Sequence, residues 1–418
     1  LAADDMALIL KDSRPVAIYC SQTSSGQVGA ALAEAGLPAR LILLETLDGL
    51  PDGADCLALA APRDMASVAA LMYTSGTTGA PKGVMLSFEN LMTTAASVIA
   101  CGYYLPEERV IALLPFFHIL PLQGTIIIPF SNGCRVAFSP SMQKEDIAAT
   151  LKEQKTTLFI GVPRLYGMFH AGILEKVRAS LAGRILFRIS RLIGSQKLGR
   201  RLFSRVHNAL GPFVQSWIIG GAKTDIKVLR DMWALGFRII EGYGLTETAP
   251  IITFNRPTRV RLGTGGQPVQ GTSVCIEDGE IVVRGSNVML GYYNKPEATA
   301  KAIRDGWFHT CDTGELDRRG YLTITGRKDE LIVLPNGKNI DPVEIEHDLY
   351  KLSPLIREVG VLQVDGQLAA VIYPAEELLA LDLRMALENL RENVIERYNR
   401  TAAAYRRILQ LRIATEHF

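Results

Sequence analysis

The sequence predicts an α/β protein, with a large N-terminal region of parallel α/β layers, a small β-rich subdomain and a small α+β C-terminal domain. In the first part of the chain, short apolar runs alternate with segments of helical period. This alternation is typical of a parallel sheet covered by helices. From about residue 263, short strand-like runs separated by glycine turns follow, which favours a β-rich subdomain.

The apolar runs are predicted to be strands buried on both faces, because they are short and uniformly hydrophobic and glycine often follows them. They cover residues 16–19, 158–160, 217–219 and 237–240. Helices are expected between them, for example over residues 146–154 and 225–235. Thr224 and Asp225 can cap the start of the second helix.

The remaining elements define the domains. SVCIEDGEIVVRG and GYLTITG supply strands of the β-rich subdomain, at about 263–326. Beyond it, Asp341 is a helix cap, Pro342 occupies the first helical position and Glu344 can close a capping box. We therefore predict a large N-terminal domain over residues 1–326 and a small C-terminal domain over residues 327–418.

Composition excludes several classes of protein. The chain has 418 residues, of which 48% are apolar and 21% charged, values typical of globular proteins. Its 45 Lys and Arg against 43 Asp and Glu give a net charge of +2, so no nucleic-acid partner is expected. The six cysteines include no C-x-x-C pair and no signal peptide is visible, which favours reduced thiols in the cytoplasm.

Two segments raise the question of a membrane. Residues 111–130 carry no formal charge and are long enough to span a bilayer, but three prolines, a His and a Gln favour buried core instead. The Arg-rich amphipathic run at 184–205 is either a solvated helix face or a peripheral membrane contact. At most a peripheral contact is therefore expected.

Residues 73–83, YTSGTTGAPKG, predict a phosphate-binding loop. Gly76 and Gly79 let the backbone approach a ligand closely, and the loop adds a cation, Lys82. Its hydroxyl groups belong to Thr74, Ser75, Thr77 and Thr78. A Walker loop is excluded because Lys82 follows a proline and precedes a glycine.

This loop and five later segments, in the same order, resemble the motifs of adenylate-forming enzymes, the superfamily of acyl-CoA synthetases, carrier-protein adenylation domains and luciferases. The later segments are PFFH at 115–118, GGA at 220–222, EGYGLTET at 241–248, GWFHTCDTGELD at 306–317 and GRKDELIVLPNGKNIDPVEIE at 326–346. The resemblance implies ATP, Mg2+ and coenzyme A as cofactors or co-substrates. It also implies an acyl-adenylate intermediate that a thiol consumes.

By this resemblance Glu247 is the Mg2+ ligand with help from Thr74, and Thr246 contacts phosphate. Tyr243 stacks on adenine. Asp329 is the hinge on which a mobile C-terminal domain rotates. The other nucleotide-binding residues implied are Gly220, Gly221, Ala222, Glu241, Gly242 and Gly244.

The resemblance also assigns residues near the domain boundary. Asp312 binds ribose, Arg327 lies near ribose and phosphate, and Gly337 and Lys338 line the path of the pantetheine arm. The family usually has glycine before the ribose-binding aspartate, whereas this sequence has Cys311. The local turn is therefore expected to differ.

Residues 161–166, GVPRLY, resemble the long-chain fatty acyl-CoA synthetase branch. Pro163 and Arg164 are accordingly candidate substrate-binding residues. His118 is either at the mouth of an acyl pocket or a core histidine.

One departure concerns the first half-reaction. The family uses a lysine near the end of the C-terminal domain, and no lysine follows Lys351 here. We expect the sequence to begin inside the N-terminal domain and to stop short of that lysine, so that the polypeptide as given is deficient in adenylation.

The sequence thus predicts an ATP-dependent fatty acid–CoA ligase, for which a homodimer is one compatible assembly. Two alternatives stay open. One is an enzyme that loads an acyl carrier protein, since the carrier and coenzyme A share the pantetheine arm. The other is a non-catalytic nucleotide- or lipid-binding homologue.

Overall fold

The structure is a computed structural model that describes residues 3–46, 64–74, 81–328, 332–334, 339–375, 378 and 383–414. The chain divides into two compact units. The first comprises Leu1–Thr310 with Glu315–Ile324, and the second comprises Cys311–Gly314 with Thr325–Phe418.

The first unit begins with a small layer of its own. Helices α1 (Ala3–Ser13) and α2 (Gln22–Ala35) pack on one face of a parallel pair of strands, β1 (Ala17–Cys20) and β2 (Arg40–Leu43). The prediction that residues 16–19 are buried on both faces is wrong, because Tyr19 on the opposite face is 60% exposed. A short apolar run does not reveal whether one layer or two cover a strand.

The main sheet has the order β11-β10-β9-β8-β7-β5-β6 among the described strands. Its parallel strands are β5 (Arg109–Ala112), β6 (Arg135–Phe138), β7 (Leu158–Gly161), β8 (Ser216–Ile219) and β9 (Ile239–Tyr243). Antiparallel strands β10 (Thr253–Phe254) and β11 (Gln267–Pro268) extend one edge.

Helices cover both faces of the main sheet. Phe159 and Trp217 pack into one core, and Ile160 and Ile218 pack into the other. One face is covered by α6 (Lys144–Glu153), α7 (Pro163–Arg178), α8 (Leu181–Ile193), α9 (Gln196–Leu202), α10 (Ser204–Leu210) and α11 (Ile226–Ala234). The other is covered by α3 (Phe88–Ala100) and α5 (Ile128–Ser131). The doubly covered parallel sheet confirms the predicted α/β class.

Residues 111–130 do not form one long helix. After β5 they contain α4 (Ile119–Leu122), a π-helical turn (Gln123–Ile127) and the start of α5. Gln123 is 1% exposed, and its Nε2 donates to the carbonyls of Leu91 and Ala249 at 2.9 and 3.1 Å. In the part of the chain that the structure describes, no helix is both long enough and apolar enough to cross a membrane.

Two smaller sheets complete the first unit. One has the order β14-β4-β3, from β3 (Val68–Thr74), β4 (Lys82–Ser87) and β14 (Gly291–Tyr292). The other contains β12 (Thr272–Glu277), β13 (Glu280–Gly285), β15 (Ile303–Arg304), β16 (Trp307–Leu316) and β17 (Leu322–Arg327). Helix α12 (Pro296–Ala302) precedes β15. The division between the units runs through β16 and β17.

The second unit has its own core, which includes Ile345, Ile372 and Leu390. Asp341 accepts from the Val343 amide at 2.9 Å and so caps its first helix, as predicted, while Glu344 pairs with Arg406 at 2.9 Å. Its helices are α13 (Pro342–Leu352), α14 (Leu383–Leu390) and α15 (Glu396–Thr401). Its strands are β18 (Ile332–Val333), β19 (Asn339–Ile340), β20 (Ile356–Val364), β21 (Gln367–Pro374) and β22 (Ile408–Ile413).

Short turns of other helical types link these elements. The 3-10 turns are Leu44–Thr46, Thr246–Thr248 and Ala404–Arg406, and a second π-helical turn covers Arg391–Ile395.

Candidate functional site

The candidate site of the first unit lies where β7, β8 and β9 end. Because the three strands are parallel neighbours, their carboxyl ends meet at one edge of the sheet, where open α/β sheets bind ligands. Pro163 begins α7 directly after β7, and Gly220 and Gly221 follow β8. A Cβ on Gly221 would lie 3.7 Å from Val162, so these predicted residues lie close together.

Two glycines fix the path of the chain beside Tyr243. A Cβ on Gly242 would lie 2.5 Å from the Phe254 ring, and a Cβ on Gly244 would collide with the carbonyl oxygen of Pro250. Only glycine allows these backbone approaches. Tyr243, which lies between these glycines, is half-buried. It is the last residue of strand β9 and does not belong to the turn that follows.

Thr246, Glu247 and Thr248 form a 3-10 turn that neighbouring elements hold from several sides. The Met289 amide donates to the Glu247 carbonyl at 2.8 Å, and the Leu245 amide donates to the Thr248 hydroxyl at 3.0 Å. The buried Asn287 amide group donates to the Ile251 carbonyl at 2.8 Å. The backbone under the Glu247 carboxylate is therefore fixed before any ligand binds.

Tyr292 connects Glu247 with the phosphate-loop segment. Strand β14 pairs with β4, opposing Tyr292 to Val84. The Tyr292 hydroxyl donates to Glu247 Oε1 at 2.8 Å, and the Lys82 ammonium lies 5.4 Å from the centre of the Tyr292 ring. Lys82 and Glu247, which are far apart in sequence, therefore share one side chain as a neighbour.

The predicted phosphate loop begins and ends at adjacent points. Thr74 and Lys82 are the last pair of the antiparallel β3–β4 ladder, so the connecting residues leave and re-enter the sheet side by side. Ser75, Gly76, Thr77, Thr78 and Gly79 lie outside the described residues. Their roles stay predictions.

The surroundings of Glu247 fit a magnesium ion. The contact with Tyr292 uses Oε1, which leaves Oε2 for a cation. Among the described residues, no three His, Cys, Asp or Glu side chains converge as they would for an all-protein metal site. Mg2+ typically takes only one or two protein carboxylates and completes its shell with water and substrate phosphates.

The Glu241 side chain is hydrogen-bonded within the fold. Its Oε2 accepts from the Gly263 amide at 2.7 Å, and its carbonyl accepts from the Asn255 amide at 3.2 Å. Burial raises the pKa of the Glu241 carboxyl to about 7, although the Gly263 amide acts in the opposite direction. These contacts favour a role in joining β9 to the segment at 255–264.

His118 and Arg164 are both exposed. The sequence left two alternatives for His118, and the one in which it is a core histidine is wrong because its side chain is exposed. His118 precedes α4 and its ring lies 4.4 Å from that of Phe117. Arg164 lies in the first turn of α7, next to Pro163.

A narrow apolar cavity of about 20 Å3 lies behind this edge of the sheet. Leu120 belongs to its wall and would contact a Cβ on Gly220 at 3.5 Å. Pro250, whose carbonyl approaches Gly244, is also part of the wall. The cavity is therefore close to two of the predicted nucleotide motifs. Its other lining residues include Tyr104, Gln123, Gly124, Ile128, Ile160 and Ile218.

In the second unit, the predicted ribose-binding Asp312 pairs with Arg327 through Oδ1 and Nε at 3.4 Å. Cys311 has a φ of 60°, and its carbonyl accepts from the Lys328 amide at 2.7 Å. Cys311 thus adopts the left-handed conformation that glycine favours. The expectation of a different local turn stays a prediction. Asp329, Gly337 and Lys338 lie outside the described residues.

Sequence reasoning missed Tyr292 and Asn287. Asn287 orients the turn that contains Glu247, and Tyr292 touches its carboxylate. The available signal was the run Gly291-Tyr292-Tyr293, in which a glycine precedes two aromatic residues that carry hydroxyl groups. The pairing of this run with β4 is not visible in any local pattern.

Comparisons with known proteins concern the chain as a whole. The family model of AMP-binding enzymes matches residues 1–293, and that of the AMP-binding enzyme C-terminal domain matches residues 329–417. Long-chain-fatty-acid--CoA ligase FadD15 of Mycobacterium bovis is 30% identical over 399 residues, which cover 86% of this chain. Feruloyl-CoA synthase of an Amycolatopsis species is 30% identical over 353 residues, which cover 80% of this chain.

The chain spans 65% of the length of each of these two relatives. The solved structure of O-succinylbenzoate coenzyme A synthetase (MenE) from Bacillus subtilis, in complex with ATP and a magnesium ion, has a TM-score of 0.70 at 22% identity. That likeness concerns the fold, and it covers 99% of this chain and 78% of the other. The two family models match most of the chain, and the chain therefore belongs to the family of AMP-binding enzymes.

Proposed function

We propose that the protein is an AMP-forming acid–thiol ligase that joins a fatty acid to coenzyme A at the expense of ATP, with Mg2+ as cofactor. A carboxylate oxygen of the fatty acid forms a bond to the α-phosphorus of ATP, and the bond from that phosphorus to pyrophosphate breaks. The thiol sulfur then bonds to the acyl carbon, AMP leaves and the thiol proton passes to solvent. Such reactions depend mainly on positioning and charge neutralisation.

The proposal rests on one observation, the contact of Lys82 and Glu247 with the same Tyr292 side chain. An ammonium group and a carboxylate that both contact the Tyr292 side chain can bind a polyphosphate together with its metal ion. Lys82 offers positive charge to phosphate oxygens, and Glu247 offers an oxygen to Mg2+. Mg2+, when bound, neutralises part of the phosphate charge.

The remaining residues have roles that follow from the same assignment. Thr74 and the loop at 75–79 bind phosphate oxygens, and Thr246 adds a hydroxyl beside Glu247. Tyr243 covers the adenine ring against Gly220, Gly221 and Ala222. Asp312 accepts from the ribose hydroxyls, oriented by its ion pair with Arg327. Asp329 is the proposed hinge, and Gly337 and Lys338 border the pantetheine arm.

The apolar cavity supports an apolar acyl group as the substrate's tail. At about 20 Å3 it holds roughly one water molecule, so a long chain enters only when lining side chains such as Leu120 and Ile128 move. His118 starts the helix that supplies Leu120, which supports its place near the cavity mouth. One relative carries a long-chain fatty acid in its name and the other a ferulic acid, so both acid classes need testing.

ATP–pyrophosphate exchange by the complete gene product tests the proposal. The panel comprises fatty acids of increasing length together with ferulic acid, and thioester formation is then followed with coenzyme A and with a holo-acyl carrier protein. We expect exchange with fatty acids and thioester with coenzyme A. Exchange with ferulic acid alone, or thioester only on the carrier protein, would replace the proposed substrate or acceptor.

Glu247→Gln tests the metal role. Removing the charge should lower Mg-ATP-dependent exchange by at least about 100-fold, because a carboxylate ligand of the cation is lost. Unfolding free energy should change by less than about 1 kcal/mol, since Glu247 is not a packing residue. Glu277→Gln, an exposed glutamate at the end of β12, is the matched control. Equal losses of stability and exchange would contradict the assignment.

A further inference from the structure

Helix α8 carries an apolar stripe that no described element covers. Leu181, Ile185, Ile189 and Leu192 recur at helical spacing and are 66%, 49%, 45% and 89% exposed. Single exposed apolar residues are normal on a protein surface, but four along one face of a helix are a contiguous patch. Such patches mark sites of contact with another molecule.

The opposite face of α8 fixes the orientation of this stripe. Phe187 packs against Phe203, with ring centres 6.4 Å apart. The Ser190 hydroxyl donates to the buried carbonyl of Ala234 at 2.6 Å, and Arg191 pairs with the fully buried Asp231 at 3.1 Å. The helix therefore cannot turn its apolar stripe inward without breaking these contacts.

The charges along this segment have a single sign. From residue 179 to residue 210 the chain has seven basic residues and no Asp or Glu. They are Arg184, Arg188, Arg191, Lys197, Arg200, Arg201 and Arg205. Arg184 and Arg188 are exposed and, at 100° per residue, lie along one border of the apolar stripe. Positive charge beside an exposed apolar face is the pattern of helices that lie in a membrane interface.

This charge distribution selects the partner. Besides Arg191, which pairs with Asp231, a second copy of the chain would bring five exposed basic residues on each side together, and their like charge opposes self-association through this face. A nucleic acid would use the charges but would leave the apolar stripe in water. An anionic lipid surface satisfies both, because the phosphates meet the arginines and the acyl region receives the leucine and isoleucine side chains.

We propose that α8, with the basic residues of α9 and α10, docks the protein on the surface of an anionic lipid bilayer. Leu181, Ile185, Ile189 and Leu192 enter the interface, and Arg184 and Arg188 pair with lipid phosphates. The docking requires neither nucleotide nor acyl substrate. The docking can therefore be tested independently of the ligase activity.

Co-sedimentation with lipid vesicles tests the docking. Vesicles of phosphatidylcholine with phosphatidylglycerol should bind the protein, and vesicles of phosphatidylcholine alone should bind it far less. Ile185→Gln with Ile189→Gln should weaken binding by at least about tenfold, because two apolar side chains no longer enter the interface. Arg184→Gln and Arg188→Gln should each weaken it by about fivefold at low salt and by less at high salt.

Matched controls use residues of the same types elsewhere. Leu362→Gln with Leu409→Gln alters two exposed leucines of the second unit, and Arg135→Gln with Arg318→Gln alters two exposed arginines away from α8. Both control pairs should bind vesicles as the unaltered protein does, and circular dichroism should be alike for all variants.

Three results would overturn the proposal. The first is equal binding to neutral and anionic vesicles, or no binding to either. The second is undiminished vesicle binding by the α8 variants. The third is self-association without lipid that Ile185→Gln with Ile189→Gln abolishes, since the stripe would then be an interface between copies.

Discussion

At the scale of single residues, the Tyr292 hydroxyl is the group that orients the Glu247 carboxylate. Tyr292→Phe removes the 2.8 Å hydrogen bond but keeps the ring beneath Lys82. We expect the Mg2+ concentration needed for half-maximal nucleotide binding to rise about tenfold, because groups that orient a metal ligand typically contribute that much. The measurement is a Mg2+ titration at fixed ATP.

Tyr293→Phe is the control for this prediction, since the neighbouring residue loses a hydroxyl while its amide still donates to Gly83 at 2.7 Å. An unchanged Mg2+ dependence in Tyr292→Phe would show that Glu247 needs no orienting partner. Lost binding in both variants would point to the backbone of β14 instead.

Sequence reasoning reached some of these residues and not others for a physical reason. Asp312 and Arg327 lie in motifs that a resemblance can carry over, although the resemblance does not predict their ion pair at 3.4 Å. The contact of Tyr292 with Glu247 depends on β14 joining β4, which no local pattern encodes. The engagement of Glu241 by the Gly263 amide is hidden for the same reason.

At the scale of elements, hydrophobic runs predicted strands better than they predicted burial. β7 and β8 are fully buried, as their uniform composition indicated, whereas β1 has an open face. The run at 237–240 predicted β9, but that strand begins at Ile239 and continues through the polar residues to Tyr243. Hydrogen bonds to β8 and β10 extend strand β9 beyond the apolar run, and such pairing cannot be predicted from hydropathy.

Two glycines, one inside a helix and one in the turn after β9, should respond oppositely to substitution by alanine. Gly172 lies inside α7 with nothing within 4 Å of an added Cβ, so Gly172→Ala should raise the unfolding free energy by about 0.5–1 kcal/mol through helix propensity. A Cβ on Gly244 would collide with the Pro250 carbonyl, so Gly244→Ala should lower it by about 3 kcal/mol or more. Urea unfolding measures both changes. Similar effects of the two substitutions would mean that the turn after β9 shifts easily.

At the scale of the whole molecule, the sequence predicted a change of architecture near residue 263, because short strands and glycine turns replace the helical pattern there. It did not reveal which sheet each strand of that region joins. β11 joins the main sheet and β14 joins β4, while β12, β13, β15, β16 and β17 form a sheet of their own. Contacts between segments that are distant in the sequence determine which sheet each strand joins, and such contacts cannot be read from composition.

Two buried groups of the first unit act on stability with opposite dependence on pH. The pKa of Glu241 is raised from 4.5 to about 7 by burial, so the folded state holds a proton that the unfolded state releases between these values. Its contribution to stability is greatest below about pH 4.5 and is lost as pH rises toward 7. Burial lowers the pKa of His207 from 6.5 to about 4. That contribution is complete above about pH 6.5 and is lost as pH falls toward 4.

Between about pH 4.5 and 6.5, Glu241 makes the unfolding free energy fall with rising pH and His207 makes it rise, so the two effects offset each other. Removing the Glu241 carboxyl should therefore reveal the effect of His207. In Glu241→Gln, the unfolding free energy should rise with pH more steeply than in the unaltered protein. The difference between the two proteins should grow by at most ~3 kcal/mol from about pH 4.5 to 7, the value of a shift of this size. Urea unfolding across this range measures it, with Glu277→Gln as a control that should follow the unaltered protein. A difference that stays constant with pH would mean that the Glu241 carboxyl titrates alike in the folded and unfolded chains.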